Sequence, residues 1–180
     1  MEKNRLEAFS DGVLAIIITI MVLELSLPSG PSLKDLMKLA PILRGYALSF
    51  LFISIYWINH HQLFQGVKSI NVKVLWCNIA WLFVMSLIPF ATAWIGRYPT
   101  SVAPMAFYFG EMFLASFTFH LMYYFVVKEC DNKTEFRLRS RNIGSLIIYF
   151  LAPLLGAFFP LAAYIVVATI TLWWVLPHKK

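Results

Sequence analysis

Charge is what this 180-residue chain has least of: Asp, Glu, Lys and Arg make up only 13% of it, against about 25% in soluble domains. Hydrophobic residues make up 60%, and the mean hydropathy is +0.72. Together these exclude an ordinary soluble globule, a disordered chain and a collagen-like repeat. Cysteine is almost missing. Cys77 falls inside an apolar run and Cys130 in a charged stretch, a pattern that gives neither a disulfide framework nor a metal site. Several functional signatures are absent as well. No Thr-Val-Gly-Tyr-Gly segment offers a carbonyl filter, and no span carries Arg at every third position as a voltage sensor does. There is no phosphate-binding glycine loop and no His-Glu-x-x-His helix, so no enzyme chemistry is indicated and the chain reads as a non-enzyme.

Long apolar stretches take their place. A membrane span needs about 20 apolar residues, so this length holds at most about seven or eight. Six are read, at about 6–27, 40–63, 74–95, 105–127, 143–159 and 161–176, with a tight corner near Gly156 and Pro160 dividing the last two. All are expected to be helices, because a lone segment in lipid must satisfy its own backbone. The expected architecture is an all-α, multi-pass membrane protein with one domain over residues 1–180. The first stretch resembles a signal sequence in its basic start, but Glu7, Asp11 and Glu24 interrupt it and further spans follow, so it reads as a retained helix.

The net charge of +6 fits membrane loops rather than nucleic-acid binding. With the N-terminus inside, the inner segments hold Lys3, Arg5, Lys68, Lys73, Lys128, Lys133, Arg137, Arg139, Arg141, Lys179 and Lys180, and the outer ones only Lys34, Lys38, Arg44 and Arg97. Basic residues stay on the cytoplasmic side, so both termini are expected there, with an even number of spans. The stretch 128–141 reads as a solvated cytoplasmic connector, and Trp94, Tyr98, Trp173 and Trp174 as interfacial rings.

Polar residues inside apolar runs are costly and point to function. The topology puts Arg5, Glu7, Ser10 and Asp11 of the first span, Asn59, His60, His61 and Gln62 of the second, and Trp76 and Asn78 of the third at one depth near the inner face. Arg5, Ser10, Asp11, a histidine, Asn78 and an indole N–H can satisfy one another there. Such a network staples three helices together or, because histidine titrates near neutrality, serves proton movement or gating. Higher in the first span, Ile16, Ile20 and Leu23 follow i, i+4, i+7 spacing, with Gly12 before them and Thr19 beside them. The stripe suits helix packing or lipid contact, and the polar cluster below it makes it more notable. Glu24 reaches headgroup water. Glu111 and His120 lie about 13 Å apart along one helix, too far to pair. An Arg44–Glu111 ion pair is expected from their similar depth, and His120 is expected to bridge helices.

The first span reads Arg5-Leu-Glu-Ala-Phe9-Ser10-Asp11 and runs on through an apolar helix to Leu23-Glu24-Leu25. This resembles the signature helix of the lysosomal potassium channel family, also called the transmembrane protein 175 family. Trp57-Ile-Asn-His60-His61 and Asn78-Ile-Ala-Trp81-Leu82 through Pro89-Phe90 extend the resemblance over about residues 5–95. It implies a bacterial-type member, with one six-helix unit assembling as a homotetramer in the cell membrane. It also implies a pore lined by four first helices, conducting potassium or other monovalent cations passively. On this resemblance Ile16, Ile20 and Leu23 form the constriction and Thr19 bears on selectivity. Arg5, Phe9, Ser10, Asp11, His60, His61, Asn78 and Trp76 hold the pore helix, with one of the two histidines central. No cofactor beyond permeant potassium and no nucleic-acid partner is implied. The alternatives are a proton channel or proton-linked transporter using Asp11, His60, His61, Glu111 and His120, and a membrane scaffold or enzyme subunit without a pore.

Overall fold

The computed structural model describes residues 2–65, 67, 69–129 and 140–175, and every regular element in them is helical. In chain order these are α1 (Lys3–Leu23), α2 (Leu33–Met37), α3 (Ala40–Phe64), α4 (Val72–Met85), α5 (Ile88–Arg97), α6 (Val102–Glu129), α7 (Ser140–Phe158) and α8 (Pro160–Val175). Four rods are long and apolar enough to cross a membrane: α1, α3, α4 continued by α5, and α6. Helices α7 and α8 are shorter apolar segments, separated at Phe159 where Pro160 begins α8. Lys68, Cys130, Lys133, Arg137, Arg139, Lys179 and Lys180, and most of the expected connector, lie outside the described residues, as does the side chain of Arg141.

Three features differ from the sequence reading, each for a local reason. α1 ends at Leu23 rather than Leu27, with the Glu24 N–H bonded back to Ile20 and the chain turning away toward Pro28. The connection between α1 and α3 contains α2, started by a capping box. The Asp35 N–H donates to Ser32 Oγ at 3.2 Å, the Ser32 hydroxyl donates to Asp35 Oδ2 at 2.6 Å, and Lys38 Nζ donates to Oδ1 at 2.7 Å. The Lys38 ammonium, helped by Ser32, holds the Asp35 carboxyl below the usual carboxylate range. The cap is therefore complete above that range and is lost only as pH falls through the lowered value. Asp35→Ala is expected to speed amide exchange across residues 33–37 at neutral pH while leaving the core helices protected, as hydrogen-exchange mass spectrometry would show. Finally, the third rod is jointed. α4 stops at Met85, and Pro89, which has no N–H to give, stands in the first turn of α5.

The joint matters for packing. α1 lies against α3, α4 and α5, while α6 packs on α4, α5 and α7, and α8 closes against α7 and α3. Phe52, Phe64, Trp81, Tyr108, Phe109 and Met122 are fully buried between these helices. Small residues permit the closest approaches: a Cβ on Gly96 of α5 would stand 3.0 Å from Ile42 Cα of α3, and one on Gly156 of α7 would collide with Met105 of α6. Apolar side chains such as Leu154, Leu161, Ile165 and Leu172 are exposed on α7 and α8, as lipid-facing surfaces require.

Candidate functional site

α1 has a packed face and a bare one. Leu6, Ser10, Leu14, Ile17 and Met21, at helical spacing, are buried against the neighbours. Only 28% of its span is buried, against 39%, 44% and 50% for the other three long rods. On the open side stand Ile16 (59% exposed), Ile20 (41%) and Leu23 (80%), with Gly12 and Thr19 also exposed. At about 100° per residue, these five fall within about 100° of the helix circumference. Continued toward the N-terminus, the same stripe carries Phe9, which is 59% exposed, and Arg5, which is exposed with no ion pair or hydrogen bond among the described residues. Phe9 and Arg5 thus stand on the open face of the protomer rather than in its interior.

The Thr19 hydroxyl proton is used by its own helix. It donates to the Ile16 carbonyl at 2.8 Å and lies 3.2 Å from that of Ala15. What Thr19 offers outward is therefore the oxygen lone pair, an acceptor suited to a cation.

The packed side of α1 is tied down near its base. Asn78 Nδ2 donates to Ser10 Oγ at 3.0 Å, the Ser10 hydroxyl donates to the Leu6 carbonyl at 2.8 Å, and His60 Nε2 lies 2.9 Å from Asn78 Oδ1. The amide oxygen only accepts, so His60 donates through Nε2. The His60 ring is stacked on Trp81, centroids 5.1 Å apart and planes 13° apart, which fixes its orientation. All three polar residues are almost completely enclosed. A fully satisfied buried network of this kind joins α1, α3 and α4 in one arrangement.

The rest of the expected inner network divides into separate contacts. Asp11 accepts at 2.8 Å from the indole N–H of Trp57, not of Trp76, which is largely exposed. His61 lies outside the Asn78 network, with its Nδ1 3.6 Å from Glu7, which also meets Lys3 at 3.6 Å. Farther out, Arg44 and Glu111 do not pair. Arg44 is exposed and donates to the Ala40 carbonyl, while Glu111 is buried on α6 with both carboxyl oxygens free of hydrogen bonds. His120 bonds the Ser116 carbonyl of its own helix at 2.6 Å through Nδ1. No group of three or more metal-ligating side chains occurs among the described residues.

A second polar cluster, at the level of Met21 near the C-terminal end of α1, escaped the sequence reading. Ser49 Oγ is 2.7 Å from Thr92 Oγ1 and 2.9 Å from Tyr108 Oη, and Thr92 Oγ1 faces Met21 Sδ at 3.9 Å. Three neutral hydroxyls spread over residues 49–108 leave no mark in a hydropathy pattern.

Three comparisons bear on this arrangement. The model of the family described as endosomal/lysosomal potassium channel TMEM175 matches residues 5–89. A potassium channel of Chryseobacterium sp. (strain P1-3) is 40% identical over 184 residues, covering 100% of this chain and 96% of that one. The endosomal/lysosomal proton channel TMEM175 of Mus musculus is 26% identical over 195 residues, covering 98% of this chain and 38% of the mouse protein. Among solved structures, the crystal structure of a lysosomal potassium-selective channel TMEM175 homologue from Chamaesiphon minutus superposes with a TM-score of 0.81. That chain is 25% identical, and the match covers 96% of this chain and 95% of the other.

Proposed function

This chain belongs to the endosomal/lysosomal potassium channel (TMEM175) family, and from that premise we propose that it is a potassium-permeable cation channel whose pore is walled by α1. The family is one of ion channels, not an enzyme class. In this reading six helical rods cross the cell membrane with both termini in the cytoplasm, and four copies of the chain surround a central axis.

The observation that carries the proposal is the bare stripe of α1. Lipid would cover a purely apolar row, but this one also carries Thr19 and, toward its base, Arg5, polar groups that favour a water-facing axis over lipid. Four copies facing one another supply it and leave a channel between them. Rings of Ile16, Ile20 and Leu23 then close the path by dewetting: water leaves a narrow apolar passage, and an ion cannot follow without its shell. Such a gate ligates no ion, so discrimination between potassium and sodium is modest. Thr19, with its lone pairs turned outward, is the polar ring within this stretch and the position at which that discrimination arises.

Purified protein in liposomes tests this. An imposed potassium gradient is expected to drive rapid passive flux, with weaker flux under a sodium gradient. Thr19→Val is expected to reduce the potassium-to-sodium ratio by about threefold, less than the weight of one hydrogen bond. No flux with either ion, from protein shown to be folded, contradicts the proposal.

Proton permeation is the second reading. The mouse relative is named a proton channel, and Asp11, bonded to Trp57, is an exposed carboxylate on the pore helix. Proton flux that survives replacement of both potassium and sodium, and falls in Asp11→Asn, favours it.

A further inference from the structure

We propose that the buried hydroxyl chain Ser49–Thr92–Tyr108 is a positioning element for the pore. Through Met21 it sets how far the outer half of α1 leans toward the axis, and so the width of the constriction at Ile20 and Leu23. This rests on the pore reading above.

The cluster is costly to bury. Ser49, Thr92 and Tyr108 are all but inaccessible, so each hydroxyl has been taken out of water. Valine and phenylalanine would fill the volumes of Thr92 and Tyr108 without needing partners. Hydroxyls in such a place contribute little net stability, since the same groups find partners in the unfolded chain. What they do provide is a fixed geometry: a hydrogen bond holds only at one separation and angle, whereas an apolar contact slides.

That geometry is delivered to one point on α1. Tyr108 of α6 meets Ser49 of α3, Ser49 meets Thr92 of α5, and Thr92 meets Met21 of α1. The phenol also lies 3.4 Å from the Gly45 carbonyl, which fastens α6 to the same turn of α3. α3 and α5 form a stiff pair here. Beyond the Gly96–Ile42 approach, a Cβ on Gly45 would already be in contact with the Thr92 carbonyl at 3.7 Å. The rod is jointed between α4 and α5, and α5 is held between α3, α6 and α1, with Thr92 and Met21 at its contact with α1. Met21 lies on the back of α1, about 140° around from Ile16. It adjoins Ile20 and stands two residues from Leu23, so a shift of α1 at Met21 moves both side chains relative to the axis. The inner tie through Ser10 and Asn78 holds the other end. α1 is thus fixed at two heights, and the outer fixing is the one beside the narrowest rings.

Single-channel recordings in planar bilayers separate this role from a merely structural one. Thr92→Val keeps the volume and removes the hydroxyl. It is expected to change unitary potassium conductance by about threefold, the scale of one interhelical hydrogen bond in a membrane, and Thr92→Ser is expected to restore it. Tyr108→Phe, which retains the buried ring, is expected to shift conductance in the same direction and serves if Thr92→Val does not fold. A cluster that only holds helices together would lower the melting temperature and the number of active channels but leave each channel's conductance unchanged. That result overturns the proposal. Ile20→Ala, recorded alongside, locates any failure. If it alters conductance while the Thr92 and Tyr108 variants do not, the cluster's role is refuted and the pore stands. If none of them alters it, the pore reading fails and this inference with it.

Discussion

Asparagine in place of Ile16 is expected to raise potassium flux by about tenfold or more, because in the proposed pore its ring holds the gate shut through dryness. Ile16 is the first in chain order of the three proposed constricting side chains, and in the protomer it is largely exposed. Its substitution therefore leaves the fold of the chain alone. An asparagine amide keeps water in a passage that isoleucine empties. The difference in hydration between the two side chains exceeds 1.4 kcal/mol, the interval worth tenfold in a rate or equilibrium, before the fourfold repetition is counted. Flux into proteoliposomes, with the melting temperature as control for folding, checks the prediction. Alanine at both Ile16 and Thr19 removes the apolar ring and the hydroxyl ring together, and normal, selective flux from that double variant would be incompatible with a constriction on this stripe.

The second large effect is one of stability. Asn78→Leu is expected to destabilise the protein by about 1–3 kcal/mol and to reduce flux with it. The loss is not shared equally by the two partners. Ser10 keeps its bond to the Leu6 carbonyl and loses only a donor to its oxygen. His60 loses the acceptor of its Nε2–H, the only one among the described residues, and the ring, stacked on Trp81 in an enclosed site, cannot turn to find another. An unmade hydrogen bond in such a site carries the full desolvation penalty. Ser10→Ala should consequently cost less than Asn78→Leu, and His60→Phe, which removes the stranded donor, should partly restore the Asn78→Leu background. Denaturation of the three single variants and the double variant in one detergent provides the measurement.

How much of this was legible in the sequence depends on which coordinate is asked for. Depth along the membrane normal was readable. Hydropathy marked the rods, and the placing of polar residues near one end brought Ser10, His60 and Asn78 to one layer, where the structure joins them. Azimuth was not readable. Trp57 and Trp76 both supply indoles near that layer, and only the rotation of α3 against α1 gives the Asp11 contact to Trp57. The same ambiguity underlies the expected Arg44–Glu111 pair: by sequence the two have a similar depth, but Arg44 is exposed and Glu111 is buried. The stripe on α1 was visible as a period, but a period does not distinguish a packed face from a bare one. The joint before Pro89 was carried by a single residue within a continuous apolar run, and α2 by a capping box in a loop otherwise read as a connector. The functional assignment of the stripe came from family resemblance, and the structure adds the bare face and the two ties behind it.

The central claim is that the bare face of α1 is the wall of the conduction path. It is tested most directly by cysteine accessibility along that helix, in a protein whose Cys77 and Cys130 have been replaced by serine. Single cysteines at Ile16, Thr19, Ile20 and Leu23 would be exposed to a charged, water-soluble thiol reagent while potassium flux is followed, with Ile17 and Leu14 on the packed face as controls. Modification at the first four positions is expected to change flux, with the two controls untouched. Flux indifferent to reagent at all four positions, or blocked equally from the packed face, would contradict it.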